Sequence, residues 1–548
     1  MSEFTQPAPR PRNRFRVDPT LRFTLERLLP KDIFVAATPS MDRMGERAAT
    51  EMPPLAERAE RNEPKHIVYD AWGRRIDEIL VDESWRRLVE IGQEEGLVAL
   101  PYEAPYGEYS RVVQAGLANL YDPVSAVADC PLVMTDGAAR LLLQHDPALA
   151  EIYVPRLTAR HKAWTSGQWM TEKEGGSDVG RSSTTARPQS DGRWTLHGTK
   201  WFTSATTADM ALVLARPEGA GPGSRELSLF LMELRRPDGS WNSFEIRRLK
   251  DKLGTRALPT AEVDLKGALA TPIGGIGRGV AKIAGLLNIA RLWAAWGGPA
   301  GVGHLLGLAR DYGERREVFG ARLVDHPIHQ IWFARLAAEY EAMLALNFET
   351  ALALGRAEHG ADPRLSRILA PITKLACARQ SIAVASELIE SFGGAGYLED
   401  TGLPRIFRNL HVHCIWEGTT SVLAHDVTRA LATPGLSEVF LSDCARRLRG
   451  LSLDRTREIR TRIENALADL SGLISRPDEA QARRLAWGIA RTFQAILLTE
   501  AAEWRLREKE DARGLTAADL FSREPLVSPS VADIDQSALR GLAFGGVD

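Results

Sequence analysis

The sequence predicts a mainly α protein with a central β domain. Three observations carry this. A helical hydrophobic period runs from about residue 75 to 165. Short alternating runs broken by Asp-Gly turns fill 164 to about 272. Long amphipathic stretches joined by short loops then occupy roughly 280–432, as in a helical bundle.

Taken in order, residues 1–65 are rich in Pro, Arg and Glu and read as an extension without a core of its own. MSEFTQPAPRPRNRFRVDP lacks the apolar centre of a secretory signal. Over 66–163, WRRLVEIGQEEGLVAL sets Trp85, Leu88, Val89 and Ile91 near one helical face, and ARLLLQ and ALAEIYVPRL continue the period. The β segment spans 164–275. Its turn at Asp191–Gly192, the strand candidates MALVLARPE and LSLFLMEL, and PDGSWNSFEI with PTAEVDL suggest a small sandwich or barrel. Over 276–432, Ile328, Ile331, Trp332, Leu336, Tyr340 and Met343 follow helical spacing. SRILAPITKLACARQSIAVASELIESFGG is a second long helix, with Pro371 as a kink and Gly393–Gly394 as its stop. ATPGLS (432–437) marks a boundary, and 433–548 reads as a further helical segment that frays into SREPLVSPSVADIDQ.

Bulk properties narrow the function. At 548 residues and 44% hydrophobic, the chain needs roughly two to four cores. A net charge of −2 gives no global pull toward nucleic acid or membrane. Cys130, Cys377, Cys414 and Cys444 lie far apart with no CxxC, which argues against a disulfide framework or zinc site and fits a reduced cytoplasm. The apolar run 283–309 carries Arg291 and many glycines, and reads as a buried helix rather than a membrane span.

Several stretches carry chemistry, each beside a plainer reading. GGIGRG (274–279) joins a β unit to a bundle and is a connector, since a dinucleotide site needs a βαβ context. In MTEKEGGSDVG (170–180), Gly175 and Gly176 expose backbone amides. Thr171 and Ser177 add hydroxyls for a flavin ring or phosphate; the plainer reading is a surface loop. In TKWFTSA (199–205), Trp201 and Thr203 would share one strand face against a flat heterocycle, or Trp201 is a core residue. In RREVFG (315–320), Arg316 and Phe319 are i, i+3 neighbours on a helix, able to pair with phosphate and cover a ring, or a solvated face beside a core contact. In ESFGGAGYLED (390–400) the helix must stop, which leaves backbone groups for an outside partner or a simple cap. In CIWEGTTS (414–421), Glu417 is fenced by Ile415 and Trp416. It is either a base with a pKa raised by desolvation or a glutamate near a helix N-terminus.

The order and spacing of MTEKEGGSDV, TKWFTS, RREVFG, FGGAGY and IWEGT resemble the acyl-CoA dehydrogenase family of flavoproteins over about 75–432. MTEKEGGSDV, RLKDKLGTRA (248–257) and CIWEGT look like its alkylation-response, AidB-type branch. The resemblance implies an N-terminal helical domain, a middle β-barrel, a C-terminal helical bundle with the catalytic Glu, and an extra C-terminal helical domain. It implies FAD as cofactor, an acyl-CoA substrate, electron-transfer flavoprotein as acceptor, and a homotetramer. Glu417 matches the catalytic base. Met170, Thr171, Gly176, Ser177, Trp201 and Thr203 match the flavin-contacting loop and strand; Trp416, Gly418, Thr419 and Ser421 surround the base at the FAD site. Arg316, Phe319, Gly393 and Gly394 match elements that reach FAD across the dimer, while Ser177 and Arg291 match the substrate side. The sequence departs from the family pattern at Glu390, Pro327 and Ser421. The implied reaction is α,β-dehydrogenation, with Glu417 removing the α-proton and flavin N5 accepting the hydride. The competing reading is an AidB-type flavoprotein that binds DNA with little turnover, through arginine-rich CARRLRG and RTREIRTR, whose charge interleaved acidic residues offset.

Overall fold

A computed structural model describes residues 6–476, 478–531 and 534–546. The expected fraying stretch 522–536 thus includes two residues, Ala532 and Asp533, that lie outside the described ones.

Four N-terminal helices, α1 (Arg14–Val17), α2 (Pro19–Leu28), α3 (Lys31–Ala49) and α4 (Met52–Arg61), make up most of the extension. It has apolar faces after all: Phe15, Leu21, Leu25, Met41, Met44 and Met52 are buried in the core they share with the rest of the chain. Arg14 staples the extension in place. Its buried guanidinium donates to the Asn119 and Ala300 carbonyls and to the Tyr340 hydroxyl, at 2.9, 3.2 and 2.8 Å.

A hairpin, β1 (Lys65–Tyr69) with β2 (Arg75–Leu80), follows where helix was expected from about 75. Its turn is set by Asp70, whose carboxylate accepts from the Trp72 and Arg74 amides at 2.9 Å each. The helical domain then comprises α5 (Glu83–Glu94), α6 (Leu100–Glu103), α7 (Ser110–Tyr121), α8 (Asp129–His145) and α9 (Pro147–Leu157). Trp85, Leu88, Val89 and Ile91 are buried together on α5, as the period requires.

The middle region is β3 (Ser166–Trp169), β4 (Thr185–Pro188), β5 (Trp194–Ser204), β6 (Met210–Pro217), β7 (Ser228–Glu233), β8 (Phe244–Leu249) and β9 (Thr260–Pro272). Pairings run β6–β4–β5–β9–β7 and return to β6, so five strands close into a small barrel, with β3 added on β6 and β8 on β9. Closure removes the edges that an open sheet of five strands would expose. Arg278 caps the connector into α10 (Gly279–Arg315) in a left-handed conformation.

The bundle comprises α10, α11 (Pro327–Glu358), α12 (Arg364–Glu390), α13 (Leu403–Leu410) and α14 (Thr420–Leu431). Pro327 opens α11 at its first turn, where its missing N–H costs nothing. Beyond it lie α15 (Leu436–Gly450), α16 (Arg457–Ser475), α17 (Ala482–Lys509), α18 (Arg513–Arg523) and α19 (Gln536–Phe544). Arg491 on α17 binds Glu339 on α11 at 2.7 Å, Arg505 binds Glu341 at 3.0 Å, and Arg447 on α15 binds Glu349, which dock the extra helices onto α11. The α12 helix is long and apolar enough to cross a membrane, but most of it is buried in the bundle.

Candidate active site

Glu417 sits between two short elements, after a turn at His411–Cys414 and before α14. Its φ is +56°, and Gly418 follows at +107°. A left-handed glutamate costs about 1–2 kcal/mol, so the surroundings must hold it. Two cations do so, half-buried Arg291 and buried Lys374. Arg291 on α10 donates through Nε to the Glu417 carbonyl at 3.3 Å and through Nη1 to Asp426 on α14 at 2.8 Å. Lys374 on α12 donates to the Gly418 carbonyl at 2.5 Å. Arg367, also on α12, closes the network on Asp426 at 2.8 Å.

The Glu417 carboxyl is pushed above the ordinary range by burial, against the Arg291 and Lys374 charges and a hydrogen bond from Gln168. Burial in turn lowers Lys374 to about 8, a shift that the Glu417 charge opposes. The expected fence is only half present: Trp416 packs against the core, whereas Ile415 is 64% exposed. Helix packing around the carboxyl, rather than its sequence neighbours, supplies the desolvation.

The loop after β3 approaches from the barrel side. Its Met170 and Thr171 are half-buried, and the Thr171 carbonyl accepts from the Trp201 amide at 2.8 Å. Gly176 and Ser177 are exposed. The loop is anchored by a pair that sequence reading missed: Glu172 and Lys200, both fully buried, meet at 2.6 Å. Glu172 also accepts from the Ser183 amide at 2.6 Å and from the Thr184 hydroxyl at 2.6 Å.

Trp201 and Thr203 do not alternate as a regular strand would have them. A register shift between Lys200 and Thr203 leaves those two residues buried, with half-buried Trp201 and exposed Phe202 between them. Thr203 donates to the Ala261 carbonyl at 3.0 Å, and its lone pairs remain available to accept. Lys250 lies over the Trp201 ring at 3.5 Å and Lys173 at 4.5 Å.

Arg316 and Phe319 are not helix neighbours. The helix α10 ends at Arg315, and β10 (Glu317–Val318) and β11 (Ala321–Arg322) form a hairpin around Phe319 and Gly320, at φ +51° and +81°. Two consecutive left-handed residues favour a tight hairpin over a continued helix. The turn leaves Phe319 wholly exposed. The helix α12 does end before Gly393–Gly394, and an added Cβ at either glycine would meet open space. Thr419 and Ser421 are exposed at the start of α14. The structure therefore gathers Glu417, Arg291 and Trp416 with Lys374 and Gln168, while Phe319 and Gly393–Gly394 face outward. A groove of about 1120 Å³, lined by Pro53, Glu60, Leu253, Leu403 and Arg405 among others, contains none of these residues.

Comparison with known proteins places the chain in a family. Residues 277–432 fit the acyl-CoA dehydrogenase C-terminal domain, 167–268 its middle domain, and 5–162 the adaptive response protein AidB N-terminal domain. Acyl-CoA dehydrogenase family member 11 of Caenorhabditis elegans is 38% identical over 530 residues, covering 91% of this chain and 86% of that protein. The chain belongs to the acyl-CoA dehydrogenase family. Escherichia coli AidB is 32% identical over 69% of this chain and 72% of its own length. The crystal structure of C. elegans ACDH-11 in complex with C11-CoA superposes with a TM-score of 0.96 at 35% identity, covering 100% of this chain and 97% of that one. Members of the acyl-CoA dehydrogenase family are FAD-dependent oxidoreductases.

The residues present fit such a cofactor. Gln168 leaves a buried Oε1 without a partner, Trp201 offers a half-buried ring, and Gly418 carries no side chain beside Glu417. Gln168 and Lys374 were legible only faintly, as polar residues inside apolar runs in SGQWM and APITKLACA.

Proposed function

We propose that this protein catalyses α,β-dehydrogenation of an acyl-CoA thioester, with Glu417 as the base that removes the α-proton. The observation that carries the reading is Glu417 itself: a carboxylate at a strained left-handed turn, desolvated, and held by cations from two helices. Burial raises its basicity, and the nearby charges keep the ionised form accessible at neutral pH. Met170, Thr171, Trp201 and Thr203 would hold FAD from the barrel side and Trp416, Gly418, Thr419 and Ser421 from the bundle side. Bound FAD supplies the acceptor for the β-hydride. The Glu172–Lys200 pair keeps the loop at 170–180 in position for both cofactor and substrate. The match to ACDH-11 with C11-CoA supports an acyl-CoA as the ligand.

Electrons would leave to an electron-transfer flavoprotein, in the cytoplasm, from a homotetramer. Phe319, Ile328, Ile331, Tyr397 and Leu398 support assembly: all are exposed apolar side chains, from the hairpin, the start of α11 and the segment after α12. His326 ties the hairpin to α11 through the Val318 carbonyl at 3.0 Å, and Trp332 ties α11 to Glu387 of α12 at 2.8 Å. These are also the segments expected to reach FAD across the dimer.

The DNA-binding reading gains no support from the C-terminal arginines. Arg446 pairs with Asp443, Arg447 with Asp443, Glu349 and Glu500, Arg457 with Asp454 and Arg462 with Asp519. The deciding experiment is anaerobic titration of flavin-loaded protein with a panel of acyl-CoAs. Wild type should bleach, and Glu417→Gln should keep FAD without bleaching. Normal bleaching by Glu417→Gln would remove the assigned role.

A further inference from the structure

We propose that Lys374 is the positioning residue of the catalytic base, clamping the turn at Glu417–Gly418 together with Arg291 and holding a positive charge beside the Glu417 carboxylate. The inference rests on the dehydrogenase reading and adds a role to it.

The geometry is specific. The carbonyls of Glu417 and Gly418 each accept from a different cation, Arg291 of α10 and Lys374 of α12. The Lys374 side chain is 1% exposed, so water cannot take over its hydrogen bond. Arg367 and Lys374 stand seven residues apart on α12, which is two turns and one face. Arg367 binds Asp426 and Lys374 binds Gly418, so this face of α12 holds the catalytic segment at two points. Arg291 ties Asp426 and the adjacent Glu417 carbonyl from α10. Gly418 takes its positive φ freely, so the clamp acts on Glu417, whose left-handed backbone a side chain disfavours.

A lysine is an expensive choice for holding one carbonyl. It is buried in a run of apolar residues, and its ammonium is destabilised there. A neutral donor would satisfy the Gly418 carbonyl. The charge is explained by Glu417, which burial would otherwise drive toward its protonated, non-basic form. The other groups facing this pair are Arg291 on α10, neutral Gln168 on β3, Cys130 on α8, and His413 and Cys414 before the base. His413 is held well below its usual range, at about 4, and so is uncharged at neutral pH. Arg291 is shared with Asp426, which leaves Lys374 as the cation on this face with no carboxylate partner of its own among the described ion pairs.

The test uses flavin-loaded protein and anaerobic single-turnover reduction by C11-CoA across the acid-to-alkaline range. Lys374→Gln keeps a donor and removes the charge; Lys374→Arg keeps both. Lys374→Gln should slow flavin reduction roughly tenfold or more at neutral pH and move the ascending limb of the profile to higher pH. Its affinity for C11-CoA should change little, and Lys374→Arg should keep the wild-type limb. A Lys374→Gln limb that coincides with wild type overturns the proposal, as does a Lys374→Arg limb displaced as far as that of Lys374→Gln. Should Lys374→Gln fail to hold flavin, Lys374→Arg decides: an unmoved limb supports the role, and a displaced one overturns it. Wild type that no acyl-CoA bleaches would remove the dehydrogenase reading and this role with it. Bleaching in wild type with an unchanged Lys374→Gln removes the role of Lys374 alone.

Discussion

Replacing Glu172 by alanine removes the anchor of the loop that carries Met170 and Thr171. The carboxylate is fully buried and accepts from Lys200 at 2.6 Å, from the Ser183 amide and hydroxyl at 2.6 and 2.9 Å, and from the Thr184 amide and hydroxyl at 3.2 and 2.6 Å. Alanine leaves Lys200 as a buried charge whose described acceptor is then the Leu214 carbonyl, at 2.7 Å. Breaking a buried pair from one side costs about 3–5 kcal/mol. The same pair replaced from both sides by apolar groups is often close to neutral. Glu172→Ala should therefore lose about 3–5 kcal/mol in urea unfolding followed by tryptophan fluorescence, and its FAD should dissociate faster. Glu172→Leu with Lys200→Met should recover most of the stability. A Glu172→Ala protein within about 1 kcal/mol of wild type, with normal FAD retention, would refute the anchor.

Arg14→Met should destabilise the protein by about 2–4 kcal/mol, because it leaves the Asn119 and Ala300 carbonyls and Tyr340 without a buried donor; urea unfolding checks this. Lys374 is lowered from 10.5 to about 8, so the unfolded chain binds more protons between those values. The penalty of about 3 kcal/mol is complete below pH 8 and fades as pH rises toward 10.5, so stability from this residue increases across that window. Lys374→Met should flatten that rise in a pH series of unfolding curves. Phe319→Ser with Tyr397→Ser should shift the protein to smaller species in light scattering and weaken FAD binding, without lowering the stability of the monomer.

Periodicity made the helical domain and the bundle legible, because Trp85–Ile91 and Ile328–Met343 follow it closely. It failed where backbone conformation departs from the local pattern. RREVFG scans as helix, yet Phe319–Gly320 turns a hairpin. KWFT alternates on paper, yet a bulge puts Lys200 and Thr203 inside. The N-terminal extension looked coreless because its apolar residues are sparse, and its partners are more than a hundred positions away at Asn119, Ala300 and Tyr340.

By itself the sequence determined the family and the order of its three regions, and it singled out Glu417 as the candidate base, because motifs and spacing are local information. Only the tertiary structure decided what raises the proton affinity of Glu417. Arg291, Lys374, Asp426 and Gln168 come from 43 to 249 positions away or from the next helix, and no local pattern pairs them. Desolvation and charge act through space, so the chemistry of the carboxylate is set by which helices pack around it rather than by the residues beside it in the chain.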